Sequence, residues 1–446
     1  MPYPIIPKNN LNSSLKQELP DNPGLPSELK GKKVLLVNHS DTLGEAASTT
    51  FRLMQAMRRA GIDARMLVYT KRSAEPNVAC VGGRLPRGIR YCMERIDILW
   101  HSGFNKENIF SVSTGRFAMN IRHHPWAREA DIICLHWINQ GLLNLNGIQQ
   151  LHLMGKKIVW TLHDMWPFTG VCHNSQVCEY YTDRCGNCMF LRGGGHPDDL
   201  SRIFWDKKLE LYDRVPITFV AESKHLELKA RSSTLLRNRP VMTIHNPIHI
   251  DFFYTTPVRH LDSMLTTTKP YLILVGASNL DRADKGLDYA IEALNHIFDN
   301  FPDIASKAAV YLFGDMADPG KLDNLRMSGR WLGRINDYKI LRYLYASAKV
   351  ILSPATMENI PLTLIEGMAG GATPVAFHAP GHDELINHKS NGYLAEYKNS
   401  RDLAAGIMWA LEADVPRQLQ HDTVRSIYAP EVVVGKYIDL FTGMLK

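Results

Sequence analysis

The chain has 446 residues, a length that suggests two or three domains. With 45% hydrophobic and 22% charged residues it has an ordinary globular composition, which excludes a disordered or collagen-like chain. Its formal net charge of +6 is mild, and no apolar run approaches the roughly 18 residues that a membrane-spanning helix needs. Residues 1–20 contain no continuous apolar segment, so we predict no secretory signal and a cytoplasmic location.

The first half of the chain is predicted to open a parallel, doubly wound sheet. Residues 1–30 carry several Pro, Asn and Ser and are interpreted as an N-terminal arm. A strand at 33–38 leads into a polar turn with Gly44, an amphipathic helix follows, and 64–69 is the next strand. Strand, glycine-bearing turn, helix and strand form the βαβ opening of a nucleotide-binding fold. Further strands are predicted at 131–136 and 157–162.

A second opening of the same kind follows Pro270, with a strand at 271–275, a polar turn and a helix at 287–298. Two such openings, about 240 residues apart, imply two domains that face each other across a cleft, with the active site at the carboxyl ends of the strands. The predicted boundaries are 31–250 for the N-terminal domain, 251–269 for a linker, 270–425 for the C-terminal domain, and 426–446 for a C-terminal helix that crosses back to the N-terminal domain.

One segment of the second half carries the pattern of a phosphate-binding turn. A buried strand at 350–353 runs into a turn, and Pro361 suits the first turn of the next helix because its missing N–H would have no partner there. The free N–H groups near Pro361–Thr363 and the positive helix end favour an anion. Glu358 stands just before this helix and Glu366 two turns along it, with seven residues between them.

This pattern resembles the signature of the GT-B retaining glycosyltransferases of family 4, here from Glu358-Asn-Ile-Pro-Leu-Thr-Leu-Ile-Glu366 onward. The similarity runs from Lys33 to the C-terminus and includes Ile244-His-Asn-Pro, Lys285-Gly286 and Trp331-Leu-Gly333. Through Trp160-Thr-Leu-His-Asp-Met-Trp-Pro and the cysteines after it, the chain is most similar to enzymes of bacterial exopolysaccharide, capsule or colanic-acid-type synthesis. The resemblance implies a GT-B fold, with two Rossmann-like doubly wound parallel-sheet domains, and retaining transfer of a hexose from a UDP- or GDP-sugar.

The resemblance also assigns roles to residues of the donor site. The residue matching Glu358 hydrogen-bonds donor-sugar hydroxyls and the one matching Glu366 holds the ribose, since a carboxylate accepts two hydroxyl donors at once. Lys285 would neutralise the diphosphate. Arg282 is expected to replace the arginine that the family carries directly after the glycine matching Gly276. The other residues expected to bind the donor are Gly44, Gly276, Asn359, Ile360, Pro361, Leu362 and Thr363.

On the N-terminal side, His163 matches a histidine near the reacting sugar, where it would hydrogen-bond the donor or polarise the acceptor hydroxyl. Asp164 would orient that imidazole or act as a base, and His136 would support it from behind. Each assignment has a plainer alternative. His163 could be a histidine of the core and Lys285 a solvated lysine in a turn. Glu358 could cap the helix, and Glu366 could be an exposed helix carboxylate. Because no second carboxylate is evident at nucleophile spacing, we expect retention without a protein nucleophile, the departing phosphate oxygen taking the acceptor proton.

Four of the seven cysteines are closely spaced and end in Cys-Gly-Asn-Cys, which is typical of structural zinc. These candidate ligands are Cys172, Cys178, Cys185 and Cys188. Facultative disulfides and free thiols are the alternatives, and no cofactor is expected for catalysis. Cys80, Cys92 and Cys134 are expected to be small buried residues.

The segment 84–128 carries eight basic against three acidic side chains, interleaved with Trp and Phe. It fits an anionic and partly apolar partner, such as a membrane surface or a lipid phosphate, although a solvated face over core aromatics is the plain alternative. No nucleic-acid recognition motif accompanies the charge. The expected partners are a nucleotide-sugar donor and a lipid-linked glycan acceptor at the inner face of the cytoplasmic membrane. Alternatives are another GT-B enzyme, such as one resembling a sugar-nucleotide epimerase or a phosphorylase, and a catalytically silent nucleotide-sugar-binding module.

Overall fold

The computed structural model describes residues 24–249, residue 252 and residues 267–446. The predicted arm up to residue 23 and most of the predicted linker 251–269 lie outside the described residues. Within the described part, the chain forms two sheets in which every strand pair is parallel.

The first sheet has the strand order β3-β2-β1-β4-β5-β6-β7. Its strands are β1 (Lys33–Ser40), β2 (Asp63–Thr70), β3 (Val78–Cys80), β4 (Ile132–Leu135), β5 (Lys157–Leu162), β6 (Ile217–Ala221) and β7 (Val241–Thr243). The helices of this part are α1 (Glu45–Arg59), α2 (Arg84–His101), α3 (Pro125–Glu129), α4 (Leu145–Leu153), α5 (Leu200–Arg214) and α6 (Lys224–Ser232).

The second sheet has the order β10-β9-β8-β11-β12-β13. Its strands are β8 (Tyr271–Asn279), β9 (Ala308–Asp315), β10 (Gly329–Trp331), β11 (Val350–Ser353), β12 (Thr373–Phe377) and β13 (Tyr393–Ala395). The helices are α7 (Leu287–Asn300), α8 (Pro302–Lys307), α9 (Tyr338–Ser347), α10 (Leu362–Ala369), α11 (Ser400–Glu412), α12 (Arg417–Tyr428) and α13 (Pro430–Leu445).

Both sheets are covered on both faces, which explains the composition of their strands. A strand that is buried on both sides needs a continuous apolar run rather than an alternating one. Val34–Val37 in β1 and Val350–Leu352 in β11 are such runs, and their side chains are buried. Two apolar clusters pack on opposite faces of each sheet. The predicted fold class, two Rossmann-like doubly wound domains that face across a cleft, is confirmed.

The strand order reverses once in each sheet, between β1 and β4 and between β8 and β11. At such a switch point the loops that follow the two strands diverge to opposite faces and leave a crevice at the carboxyl ends of the strands. In this chain the four loops are the Gly44 turn, the segment after Leu135, the turn before α7, and the loop that carries Glu358. The topology therefore brings most of the sequence-predicted site segments to the same crevice.

Helix α13 packs on the N-terminal domain although it follows the C-terminal domain in the chain. Val433, Val434, Tyr437 and Phe441 are buried in the apolar cluster that lines one face of the first sheet. The hydroxyl groups of Tyr437 and Thr161 are 3.2 Å apart, which ties the helix to β5. The chain thus crosses between the domains a second time, through α12 and α13.

Candidate active site

A cavity of about 580 Å³ opens between the two domains. It is lined from the N-terminal side by residues that follow β1, β4, β5 and β6, and from the C-terminal side by the loop after β11. The polar members of this lining are Asn38, His39, Ser40, Glu45, Gln140, His163, Asp164, Glu222, Glu358 and Asn359. Polar side chains from both domains converge on one concave surface, as expected of a ligand site.

Gly44 forms the turn between β1 and α1, and it borders this cavity. Its φ of 86° lies in the left-handed region, which glycine adopts without steric cost. Glu45 begins α1 and remains in contact with solvent. Desolvation in the cleft, followed by the negative charges of Glu222 and Glu358, raises the pKa of Glu45 to about 8. Glu45 and Glu222 were not foreseen from the sequence as carboxyl groups of this cleft.

Lys285 and Glu358 meet in the cleft although 73 positions separate them. The Lys285 ammonium donates to Oε1 of Glu358, and both side chains are largely buried. Burial raises the pKa of Glu358, and the charge of Lys285 opposes the rise. The turn that holds Lys285 ends at Gly286, where φ is 69° and an added Cβ would lie 2.0 Å from the Pro354 carbonyl oxygen. The end of β11 therefore fixes where Lys285 sits.

Glu366 lies on α10 and is buried, so it is not the exposed helix carboxylate of the plainer alternative. The Tyr345 hydroxyl donates to its Oε2 at 3.1 Å. Arg52 of α1 approaches from the N-terminal domain, with its Nη1 3.9 Å from Oε1. Burial raises the pKa of Glu366 to about 7, against the opposing effects of Arg52 and of the Tyr345 hydrogen bond.

His163 follows β5, and both of its ring nitrogens have partners. Nδ1 is 2.9 Å from Oε2 of Glu222, and Nε2 is 3.0 Å from Nδ1 of His136. Asp164 instead contacts Nδ1 of His173 at 2.6 Å and accepts from the Trp137 indole N–H at 2.8 Å. The expectation that Asp164 orients His163 is therefore wrong: Glu222 holds that imidazole. Although burial opposes it, the interaction with His173 lowers the pKa of Asp164.

The other predicted donor residues lie around Glu358 in different ways. Gly276 is in β8, where a Cβ would collide with the Phe313 ring at 2.0 Å. Arg282 is exposed and its guanidinium forms a two-pronged ion pair with Asp284, at 2.9 and 2.7 Å. Its charge is thus matched locally, and its part in diphosphate binding stays a prediction.

Asn359 and the residues after it form the start of α10. Asn359 contacts the N-terminal domain, donating its amide to Glu222 Oε1 at 2.7 Å and accepting from the Ser223 hydroxyl at 2.8 Å. Ile360 is buried, Pro361 is the N-cap, and Leu362 and Thr363 open the helix. The Leu362 N–H donates to the Ile360 carbonyl at 3.0 Å. The first N–H groups of a helix have no intrahelical acceptor, and such groups favour an anion.

Sequence reasoning missed several residues of the site, above all Glu222, His173 and Arg52. Glu222 directly follows β6. In a parallel sheet, a polar residue at the carboxyl end of a buried strand indicates a ligand site. The run Ile217–Ala221 is apolar and β-branched, so identifying it as a strand would have found Glu222. Arg52 carries no such signal, because it sits among helix residues whose local pattern says nothing about the other domain.

The cysteine cluster forms part of the N-terminal domain next to the site loop. Cys172, Cys185 and Cys188 are buried, Cys178 is half-buried, and all are free thiols. Burial raises the pKa of Cys185 to about 11 and that of Cys188 to about 12. Within the part of the chain that the structure describes, no group of three or more His, Cys, Asp or Glu is arranged to hold a metal ion. The zinc site stays a prediction. Of the other three, Cys134 is buried and Cys80 half-buried, but Cys92 is exposed, contrary to expectation.

Lys208 of α5 braces the loop that follows His163 and Asp164. Its ammonium is fully buried and donates to the carbonyl oxygens of Trp166, Thr169 and Gly170. It also lies 3.7 Å from the centre of the Trp166 ring. Burial lowers the pKa of Lys208 to about 7, with Cys185 and Cys172 opposing the change. Three carbonyls held by one cation make this loop a fixed support for the site.

Comparison with known proteins relates the C-terminal part of the chain to a described family. Residues 269–413, which contain all six strands of the second sheet, match the family model described as glycosyl transferases group 1. The chain is 31% identical over 168 residues to an uncharacterized glycosyltransferase of Haemophilus influenzae, covering 36% of this chain and 45% of that protein. It is 25% identical over 249 residues to one of Methanocaldococcus jannaschii, covering 53% and 60%. The chain spans about half the length of the curated relatives it matches.

Solved structures show the same fold over nearly the whole chain. Anabaena HepE in complex with UDP and glucose has a TM-score of 0.59 and 15% identity, covering 92% of this chain and 100% of that chain. Sucrose-phosphate synthase from Thermosynechococcus elongatus has a TM-score of 0.60 and 17% identity, covering 93% and 99%. A glycosyltransferase from Rickettsia africae has a TM-score of 0.60 and 14% identity, with the same coverage. At these identities the similarity concerns the GT-B architecture alone.

Proposed function

We propose that the protein is a retaining glycosyltransferase that moves a hexose from a UDP- or GDP-sugar to a glycan acceptor. The observation that carries the proposal is the contact between Lys285 and Glu358 in the interdomain cleft, opposite the Gly44 turn and His163. A cation, a carboxylate and two helix N-termini on one concave surface match the charges of a nucleoside diphosphate sugar. The group 1 match and the curated relatives named as glycosyltransferases support this class.

In the proposed complex, Lys285 neutralises the diphosphate, whose charge grows as the glycosidic bond breaks. The N-termini of α1 and α10 supply N–H donors to the phosphates. Glu358 accepts hydrogen bonds from the sugar hydroxyls and Glu366 accepts them from the ribose. The acceptor oxygen bonds to the anomeric carbon on the face that the diphosphate leaves, and the departing phosphate oxygen takes the hydroxyl proton, which gives retention.

The premise that no second carboxylate is near needs correction, because Glu45 and Glu222 line the same cavity as Glu358. Both oxygens of Glu222 accept hydrogen bonds, so it is not placed as a free nucleophile. Glu45, whose pKa is raised to about 8, is mostly protonated near neutral pH and is then a poor nucleophile. Retention without a protein nucleophile remains our proposal. Analysis of the product linkage by NMR tests it, and an inverted linkage would refute it.

The donor site is tested with Glu358→Gln and Lys285→Met. We expect each variant to lose at least about 100-fold in kcat/KM, because each removes a charge that meets the transition state. Glu412→Gln, an exposed carboxylate at the end of α11, is the control and should retain wild-type rates. Nucleotide binding without turnover would indicate a silent module, and conversion of the donor to its epimer would indicate an epimerase.

The donor nucleotide is tested by thermal shift. A ligand at about 100 times its Kd stabilises a protein by about 2.7 kcal/mol, which raises Tm by several degrees in a chain of this size. UDP and GDP, alone and as hexose conjugates, are the probes. The nucleotide that raises Tm defines the donor, and no response to either would count against the assignment.

We further propose that helix α2 rests on an anionic membrane surface at the cytoplasmic face and presents a lipid-linked acceptor to the cleft. An apolar stripe follows one side of the helix and is 50–76% exposed, namely Leu85, Ile89, Ile96 and Trp100. Arg84 and Arg90 are exposed on the same helix, while Tyr91 lines the cavity. Arg95, counted among the basic residues, is buried beside Glu94 and does not contribute to this surface.

With an apolar side and a basic side, helix α2 is typical of a helix that lies in the membrane surface rather than one that spans the bilayer. Among the described residues, no helix combines the length and apolar character needed to cross a bilayer. We expect the protein to float with vesicles that contain anionic lipid. The double variant with Ile96→Glu and Trp100→Glu should remain at the bottom of the gradient. Leu228→Glu, at an equally exposed apolar position on α6, is the control. Flotation of both variants alike would contradict the role of α2.

A further inference from the structure

Glu222 contacts three separate segments of the chain. Its side chain is 5% exposed, and its Oε2 lies 2.9 Å from Nδ1 of His163. The same oxygen accepts from the Asn246 amide at 2.6 Å, and Oε1 accepts from the Asn359 amide at 2.7 Å. Asn246 lies just after β7, where the chain leaves the N-terminal domain, and Asn359 belongs to the C-terminal domain. One carboxylate therefore joins both walls of the cleft to the connection between them.

The bond to His163 sets the protonation pattern of two histidines. A carboxylate oxygen accepts, so the neutral form of His163 carries its proton on Nδ1 and presents the lone pair of Nε2. That lone pair faces Nδ1 of His136, which must then be the donor across 3.0 Å. Burial lowers the pKa of His136 well below its usual value, so His136 is neutral and its Nδ1–H can donate. Its buried Nε2 has no hydrogen-bond partner.

The bond to Asn359 acts on the donor side. Asn359 directly follows Glu358, and the Ser223 hydroxyl holds the other end of the same amide at 2.8 Å. Both hydrogen-bonding ends of the Asn359 side chain are thus occupied by the N-terminal domain. If the domains shifted, the loop of Glu358 and Asn359 could follow the N-terminal domain, and Glu358 would then move away from Lys285. Otherwise the two bonds of Asn359 to the N-terminal domain would break.

We propose that Glu222 is a positioning residue that holds His163 and Glu358 in register across the cleft and fixes the His163 tautomer. The proposal rests on the proposed function for its kinetic consequences but not for the tautomer. Glu222 does not contact the reacting atoms in this scheme. It fixes the positions of His163 and Glu358, which contact the reacting sugar in this scheme.

A second carboxylate offers a matched comparison, because Glu384 also bridges the domains. It accepts from the N–H groups of Lys224 and His225 at the start of α6 and lies 3.3 Å from Nε2 of His245. Unlike Glu222, it does not line the cavity. Glu384→Gln therefore weakens the contact between domains without touching the site.

The first experiment records the tautomers of ¹⁵N-labelled histidine by NMR in wild type, Glu222→Met and Glu384→Met. A methionine side chain offers no strong hydrogen-bond acceptor to Nδ1, so His163 should move its proton from Nδ1 to Nε2 in Glu222→Met only. The absence of this change would overturn the proposal, whether or not the protein is an enzyme. Thermal unfolding checks that each variant is folded.

The second experiment measures kcat and the donor KM. We expect Glu222→Gln to lower kcat by about 100-fold with little change in KM, as for a misplaced reacting group. Glu384→Gln should change both values together and by less. Equal effects of the two variants would make Glu222 a simple brace between domains and would refute the proposal. A wild type that shows no turnover with any donor would refute the function instead and leave the tautomer result to judge Glu222.

Discussion

Replacing Arg52 with methionine removes the positive charge that lies beside Glu366 and keeps an unbranched apolar side chain. Arg52 is 9% exposed, and its Nε has no hydrogen-bond partner. The 3.9 Å contact with Glu366 joins α1 of one domain to α10 of the other. This ion pair helps to keep the Glu366 carboxyl, whose pKa is raised to about 7 by burial, in its charged form.

The size of the effect follows from the geometry. Two unit charges 3.9 Å apart attract by about 4 kcal/mol at an effective dielectric constant of about 20. This energy corresponds to about three pKa units, of which relaxation and residual water leave about one to two. Near neutral pH, Glu366 in Arg52→Met would then be mostly protonated and unable to accept both ribose hydroxyls. We expect nucleotide affinity to fall about 10-fold or more.

The assay is nucleotide affinity, measured by calorimetry from about pH 6 to pH 9. Because Glu366 must lose a proton to bind, wild-type affinity should rise through pH 7, and the same rise should occur at higher pH in Arg52→Met. The control is Arg59→Met, which removes an exposed charge from the same helix. Thermal stability should change little below about pH 6, where Glu366 is protonated in both proteins, and should fall in Arg52→Met at higher pH, where the buried carboxylate lacks its partner. Superimposable pH profiles for wild type and Arg52→Met would refute the reasoning.

Three further predictions concern the framework of the site. Lys208→Met should lower the free energy of unfolding by about 2–4 kcal/mol in denaturant titration, because carbonyls at 166–170 lose their donor; a loss below about 1 kcal/mol would show that water replaces the ammonium. Gly286→Ala should lower Tm by several degrees and weaken donor binding, because the added Cβ would lie 2.0 Å from the Pro354 carbonyl oxygen. An unchanged Tm would contradict the rigid turn. Cys92 should react with iodoacetamide in the native state and Cys134 only after unfolding, as mass spectrometry can follow; equal rates would contradict the fold.

Local patterns in the sequence were enough to predict the two domains. Strands such as Lys157–Leu162 and Val350–Ser353 have the predicted bounds, because a strand buried on both faces needs an uninterrupted apolar run. The start of α10 was also predicted, since helix-start chemistry at Pro361 involves only neighbouring residues. Helix α2 was missed: its sequence contains Pro and Gly, and its apolar stripe faces solvent.

The tertiary structure alone decided which charged groups meet. Lys285 reaches Glu358, Arg52 reaches Glu366, and Glu222 rather than Asp164 holds His163. Arg52 and Glu366 lie on helices that follow such strands, and the other partners lie on loops at the carboxyl ends of the strands. These segments lie side by side in space but far apart in the chain. Residue spacing along the chain carries no information about such pairs, because their distance depends on the strand order in each sheet and on how the two domains pack.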